Sequence, residues 1–218
     1  MLIRLEPAGS RATVLNGTLG FLMLNQRQQL RSLIRQRRKQ LSSVEQDNAA
    51  KALITRFTQA MASIDYQHIA LYLSVDGEIN THPLIEWLWQ QGKSVYLPVL
   101  HPLSPGHLLF LRYQTTTPLI YNHYSILEPK LDLQTIQPLA QLDVICTPLV
   151  AFDRQGQRLG MGGGYYDRTL AHWFKNGQGP LPIGLAHDCQ YVDQLAAETW
   201  DVPLPKIITP SKVWQWKA

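Results

Sequence analysis

Several chemistries lack their raw material in this chain. Two cysteines, Cys146 and Cys189, stand far apart among 218 residues, too few for a disulfide framework and without the spacing of a CxxC metal site. Seven histidines form no HExxH and no tight cluster with cysteine, which disfavours zinc. No GxSxG elbow is present for an acyl-enzyme serine. No run approaches the ~20 apolar residues of a membrane helix, and the first residues lack the basic region, compact apolar core and small-residue cleavage site of a secretory signal. Charged residues are only 17% of the chain, against roughly 25% in an average globular protein, while 45% are hydrophobic. That composition excludes disorder. A soluble protein of the reducing cytoplasm, without membrane contact, is expected.

The positive charge that is present is local. The formal net charge is +4, yet residues 1–40 carry eight Arg or Lys and one acid, and the remainder is net acidic. Arg27, Arg31, Arg35, Arg37, Arg38 and Lys39 fall within thirteen residues that contain no acid. Such a segment is either a solvated face or a site for an anion. Nucleic acid is not expected, because no aromatics interleave with the arginines. Arg27 and Arg31 are one helical turn apart and could grip a polyphosphate together, whereas Arg38 reads as solvated.

Residues 1–24 show no clean period, so residues 1–22 read as a poorly ordered N-terminal extension ahead of one domain over 23–218. From Gln26, Leu30, Leu33, Ile34 and Leu41 recur at helical spacing. Ser42 and Glu45 have the spacing of a capping box at the head of a second helix through Leu53, Ile54 and Phe57. Short apolar runs then begin at His68–Val75, followed by a helix through Leu84, Ile85 and Leu88 and a run at Ser94–Pro98, a strand-helix-strand crossover. Similar runs lie at His107–Tyr113, Leu142–Val150 and Leu181–His187. Runs apolar on both faces, alternating with helices, predict a single α/β domain whose mostly parallel sheet is flanked by helices.

The densest chemistry lies between Thr147 and Arg168. A buried strand runs into a loop with Gly160, Gly162, Gly163 and Gly164 and then into a helix through Tyr165, Tyr166 and Leu170, with Arg158 and Arg168 on its flanks. Glycines let backbone N–H groups converge on phosphate oxygens, and a helix N-terminus adds partial positive charge. Neither a Walker loop nor GxGxxG fits, the latter because Tyr165 occupies the third glycine's place. A tight strand-to-helix turn is the alternative. Glu78, just after the first strand, falls at a carboxyl edge of the sheet, where α/β proteins bind ligands, or is a solvated loop acid. Asp167, one turn into the helix, either coordinates magnesium near phosphates or complements the helix dipole. Cys146, inside an apolar strand, reads as packing.

Together these residues resemble the 5-formyltetrahydrofolate cyclo-ligase family. The likeness is carried by Phe152-Asp153, Gly156, Arg158-Leu159-Gly160 and Gly162 to Arg168, and supported by Arg27-Gln-Gln-Leu-Arg31, Leu73 to Thr81, Ile126-Leu127-Glu128-Pro129, Gly184 to Gln190 and Asp201. It spans about Met23 to Pro210. The resemblance implies a NagB/RpiA-like fold and an ATP- and magnesium-dependent conversion of 5-formyltetrahydrofolate to 5,10-methenyltetrahydrofolate, performed by a monomer. It further implies that Arg27, Arg31, Arg158, Gly160, Gly162, Gly163, Gly164, Tyr165, Tyr166 and Arg168 meet ATP. Glu78, Met161, Gly162, Gly164 and Tyr166 would meet the folate, Arg158, Tyr166 and Glu78 would act in catalysis, and Asp167 with Asp201 would hold the metal. Arg27 stands where the family often has Lys, and Met161 where a basic or aromatic residue is common.

Overall fold

Helix α1 (residues 26–39) opens the part of the chain described by the computed structural model, residues 26–216; the expected extension over 1–22 lies outside the described residues. Leu30, Ile34 and Arg38 are spaced by four and share one face of α1. Ile34 is fully buried against Val150, Ala151, Leu159 and Leu195. Two expectations fail on this helix. Leu33 is 46% exposed, and Arg38 is fully buried. The four-residue spacing, not side-chain polarity, decides which side of the helix meets the protein. The neighbouring stripe of Arg27, Arg31 and Arg35 follows it inward, each arginine contacting a different loop.

Helix α2 (Ser43–Met61) begins with the expected capping box: Ser42 Oγ accepts from Glu45 N, and Glu45 accepts from Ser42 N. Strand β1 (His68–Ala70), helix α3 (His82–Gln90) and strand β2 (Ser94–Leu100) form the predicted crossover, with β1 and β2 parallel. Strand β3 (Leu108–Arg112) returns antiparallel to β2, because the connection between them is too short for a crossover. A small hairpin follows, β4 (Leu119–Tyr121) with β5 (Leu127–Pro129), then β6 (Ile136–Gln137) and β7 (Val144–Thr147). Strands β8 (Ala151–Phe152) and β9 (Arg158–Leu159) form a second hairpin, leading to helix α4 (Tyr165–Asn176), β10 (Leu181–Leu185), β11 (Lys206–Ile208) and β12 (Val213–Gln215).

The main sheet runs β12-β11-β10-β7-β1-β2-β3-β6, with five parallel strands from β11 to β2 and antiparallel strands at both edges. Alternation decides which layer each side chain joins. Ile69, Leu71, Val95, Leu97, Val144 and Cys146 pack toward α2 and α3, while Ala70, Tyr96 and Ile145 pack with Leu170 of α4. Cys146 is fully buried, as its strand position predicts, and burial pushes its thiol far above the usual range. No helix among the described residues is long and apolar enough to cross a membrane.

From β1 the chain runs through α3 to β2 on one side, while from the adjacent parallel strand β7 it runs through α4 to β10 on the other. This is a topological switch point, and the space beyond the carboxyl ends of such strands is where open α/β sheets bind ligands.

Candidate active site

A cavity of about 440 Å³ occupies that position, a volume suited to a small-molecule ligand. Its walls come from the segment after β1 (Tyr72 to Glu78), from β2 and β3, from the β4–β5 hairpin, and from the glycine loop with the start of α4. Most of the lining is apolar, including Leu73, Leu97, Leu108 and Leu127, with a few polar groups among it.

The glycine loop is held in place from both sides. The β8–β9 hairpin, absent from the sequence expectation, is closed by the fully buried Asp153, whose carboxylate accepts from the N–H groups of Gln155, Gln157 and Leu195. All of its contacts are backbone donors, so its part in the motif is structural. Gly156 is structural too, because a Cβ there would meet the Leu204 carbonyl oxygen at 2.7 Å. Arg31 Nε donates to Gly160 O at 2.9 Å, so α1 clamps the loop where it leaves β9. Gly162 adopts φ 107 and Gly164 φ 66. Gly164 is the N-cap of α4 and offers no side chain to the first-turn N–H groups, which remain free to bind an anion.

Arg158 is almost wholly buried. It donates through Nη2 to Asp167 Oδ1 at 2.5 Å and through Nε to Val202 O at 3.2 Å. Burial pulls its pKa down, and the Asp167 carboxylate opposes that pull. Tyr166 has its hydroxyl shut away from solvent with no hydrogen-bond partner, and burial pushes that hydroxyl far above the usual phenol range. Glu78, 6% exposed, accepts from Val75 N through Oε2, while Oε1 has no hydrogen bond. Burial first of all pushes its carboxyl up to about 7, against the Val75 N–H and Arg38, which lower it. The solvated-loop alternative for Glu78 is therefore excluded. Both unpartnered atoms belong to residues that line the cavity, and buried polar groups without partners call for an explanation such as a functional role.

The cavity lining includes Glu78, Arg158, Gly160, Met161, Gly163, Gly164, Tyr165, Tyr166 and Asp167. Gly162 sits outside the lining, beside Arg31. Arg27 is engaged elsewhere, with Nη1 and Nη2 at 2.6 and 3.1 Å from the Asp201 carboxylate; Asp201 also accepts from Glu198 N. Arg168 points its guanidinium at the carbonyls of Gly163 and Gly106. It braces the loop and is not part of the cavity wall.

Other lining residues had no role in the sequence expectation. Tyr124 OH lies 3.1 Å from Tyr165 OH, bringing the β4–β5 hairpin to the cavity mouth. The buried Glu128 accepts from Leu100 N and Asn122 Nδ2, tying that hairpin to β2. In the sequence, Glu128 is marked only by its place in the Ile126-Leu127-Glu128-Pro129 stretch of the family resemblance.

Among the described residues no group of three or more His, Cys, Asp and Glu gathers to hold a metal. Magnesium needs no such cage, since it keeps waters and takes one or two carboxylates plus phosphates. Asp167 lies on the cavity wall and is only part-buried, and its carboxylate has the chemistry such a site needs.

The comparisons agree with the geometry. A family model described as the 5-formyltetrahydrofolate cyclo-ligase family matches residues 23–210. The chain is 52% identical over 186 residues to the 5-formyltetrahydrofolate cyclo-ligase of Escherichia coli strain K12, covering 84% of this chain and all of that one. It is 49% identical to that of Haemophilus influenzae over 182 residues, 84% of this chain and 96% of the other. The solved 5,10-methenyltetrahydrofolate synthetase of Aquifex aeolicus superposes with a TM-score of 0.72 at 26% identity, covering 87% of this chain and 92% of that one. That of Mycoplasma pneumoniae gives 0.66 at 26%, covering 84% and 98%. With a cavity at the switch point, a glycine cradle at a helix N-terminus and a match over most of its length, this chain belongs to the 5-formyltetrahydrofolate cyclo-ligase family.

Proposed function

We propose that this cavity takes 5-formyltetrahydrofolate and the triphosphate end of ATP side by side and closes the folate to 5,10-methenyltetrahydrofolate, releasing ADP and phosphate. The observation that carries this reading is that one cavity has an uncapped helix N-terminus, Arg158 and Tyr166 along one wall and the buried Glu78 along another. An apolar lining between them suits a pterin ring.

An N-formyl group is an amide, whose carbonyl carbon is a poor electrophile and whose oxygen is a poor leaving group. The formyl oxygen attacks the γ-phosphorus, the bond to the β-phosphate oxygen breaks, and ADP departs. N10 then attacks the activated carbon and loses its proton, and the C–O bond breaks as phosphate leaves with the oxygen. Positioning and charge neutralisation are what the protein supplies. Arg31, the loop from Gly160 to Gly164 and the first turn of α4 hold the phosphates, while Met161 and Tyr166 meet the formyl end of the folate. Arg158, kept oriented by Asp167 and Val202, faces the developing charge on the transferring group. Arg27 joins the phosphates by leaving Asp201, which frees that carboxylate as the second acid of the metal site; Arg168 acts through the loop it braces. Magnesium held by Asp167 would neutralise phosphate charge.

Incubating the protein with 5-formyltetrahydrofolate, ATP and magnesium should produce the absorbance of the methenyl product. A folded protein that makes none, or makes it equally without ATP, refutes the assignment.

Glu78 belongs to the folate side, where its carboxylate accepts from the pterin's N3–H and 2-amino group. Glu78→Gln should raise KM for the folate about 10- to 100-fold, the worth of a hydrogen bond to a charged group, with ATP affinity unchanged. A loss confined to kcat would instead make Glu78 the base for N10. Stability gives an independent readout. A carboxyl raised from about 4.5 to about 7 favours the folded state below the lower value, and that contribution is lost as pH rises through 7, about 3 kcal/mol in all. The unliganded Gln variant should therefore lose less stability than the parent between pH 5 and 8 in urea melts. Parallel pH profiles would show that burial does not raise the Glu78 carboxyl.

A further inference from the structure

Arg38 is fully buried, and its guanidinium lies between two acids of the segment that follows β1. Nη2 donates to Asp76 Oδ2 at 2.9 Å, and Nη1 stands 3.8 Å from Glu78 Oε1. Nη1, Nε and Glu78 Oε1 are shut off from solvent without a hydrogen-bond partner. A buried guanidinium left partly unsatisfied is costly, and the position continues the stripe of Leu30 and Ile34, where an apolar side chain would complete the packing.

The turn that Arg38 meets is itself strained. Asp76 is a non-glycine residue at φ 50, an uncommon conformation outside glycine. Gly77, at φ 72, backs onto α1 so closely that a Cβ there would stand 3.4 Å from Arg38 Cβ. Arg35 Nε and Lys39 Nζ reach the same Asp76 carboxylate at 3.0 and 3.2 Å. Three bases of α1 thus hold one acid at the tip of a left-handed turn, and Glu78 leaves that turn for the cavity wall.

We propose that Arg38 is a positioning residue for the reaction: gripping the Asp76–Gly77 turn, it favours the carboxylate form of Glu78 and fixes it at the folate end of the cavity. This role rests on Glu78 meeting the folate, as proposed above. The charges bearing on Glu78 are those of Arg38, Asp76 and Arg35, and its other titratable neighbours are Tyr72, Tyr166 and His187. Burial pushes both tyrosines up and His187 down to about 4, so these three are neutral near pH 7. Among the described residues, Arg38 is the cation within 4 Å of the carboxylate.

The test is the pH dependence of kcat/KM for 5-formyltetrahydrofolate at saturating ATP, which reports groups of the ATP-bound, folate-free enzyme. The parent should show activity climbing with pH through about 7. In Arg38→Met the climb should move to higher pH by about one unit, leaving activity about fivefold lower at pH 7 and recovered near pH 9. Arg38→Lys should show a smaller shift in the same direction and serves if the Met variant does not fold. Asp76→Asn, which tolerates the left-handed backbone and removes the neighbouring negative charge, should move the climb to lower pH. Opposite shifts cannot come from general loosening of the turn. Shifts in one direction, or none, overturn the role of Arg38. Glu78→Gln separates the two claims: it should abolish the climb, and if it leaves folate kinetics unchanged, the placement of Glu78 itself is wrong. If it abolishes the climb while the Arg38 and Asp76 variants keep the parental profile, only the positioning role falls.

Discussion

Gly164→Val should abolish ATP binding while the protein stays folded, and Gly177→Val should leave ATP binding intact. Both glycines belong to α4, one at each end, and both adopt the left-handed conformation, φ 66 and φ 64. A β-branched residue in that conformation costs about 1–2 kcal/mol wherever it occurs. The shared strain should lower the two melting temperatures by a similar few degrees. Their surroundings differ. Gly177 has open space where a Cβ would go, whereas a Cβ at Gly164 would stand 2.8 Å from Arg168 Nη1. Arg168 can swing away, but then its bonds to the Gly163 and Gly106 carbonyls are lost and the loop loses its brace. The valine methyls would also stand at the cavity wall beside the uncapped N–H groups of α4. Calorimetric titration with ATP, read against thermal melts, separates strain from site. Normal affinity in Gly164→Val, or equal loss in both variants, would remove the glycine loop from the nucleotide site.

The elements legible in the sequence are those fixed by local chemistry. Ser42 and Glu45 announce α2 because a capping box is a four-residue pattern. The parallel centre of the sheet is announced by apolar runs that fill both layers, with Ile145 on one face and Val144 and Cys146 on the other. The glycine loop is equally visible, since left-handed backbone at Gly162 and Gly164 needs glycine. What stayed hidden depends on partners distant in the chain. Nothing near Arg38 in sequence shows that Asp76 and Glu78 will meet it, so its charge assigns it to solvent although helical phase turns it inward. Arg168 flanks the loop like a phosphate ligand, yet Gly106 supplies the carbonyl that engages it. Strands β8 and β9 are two residues each, too short to carry a period. The antiparallel return of β3 depends on the length of its connection to β2, which its own composition does not disclose.

Tyr166→Phe is expected to lower kcat about 100-fold and to leave stability unchanged or slightly higher. A buried hydroxyl that makes no hydrogen bond in the unliganded protein is a burden on the fold, because it loses its water partners and gains none. Replacing it with hydrogen removes that burden and keeps the ring, which packs with the layer containing Phe152 and Leu170. If the hydroxyl served the fold, the substitution would destabilise; if it served nothing, turnover would persist. The proposed reaction gives it a use as a hydrogen-bond donor to the oxygen through which the formyl group and the γ-phosphoryl become joined. Donors aimed at developing charge in a site shielded from water are worth about 10²–10³ in rate. The hydroxyl cannot act as a base there, since burial and the nearby Glu78 both hold its proton on more firmly. The kcat of Tyr166→Phe should therefore keep the parental pH dependence at its reduced level, and the folate KM should change little. A destabilised variant with normal kcat would return Tyr166 to the core, and a new pH dependence of kcat would show that the phenol exchanges its proton during turnover.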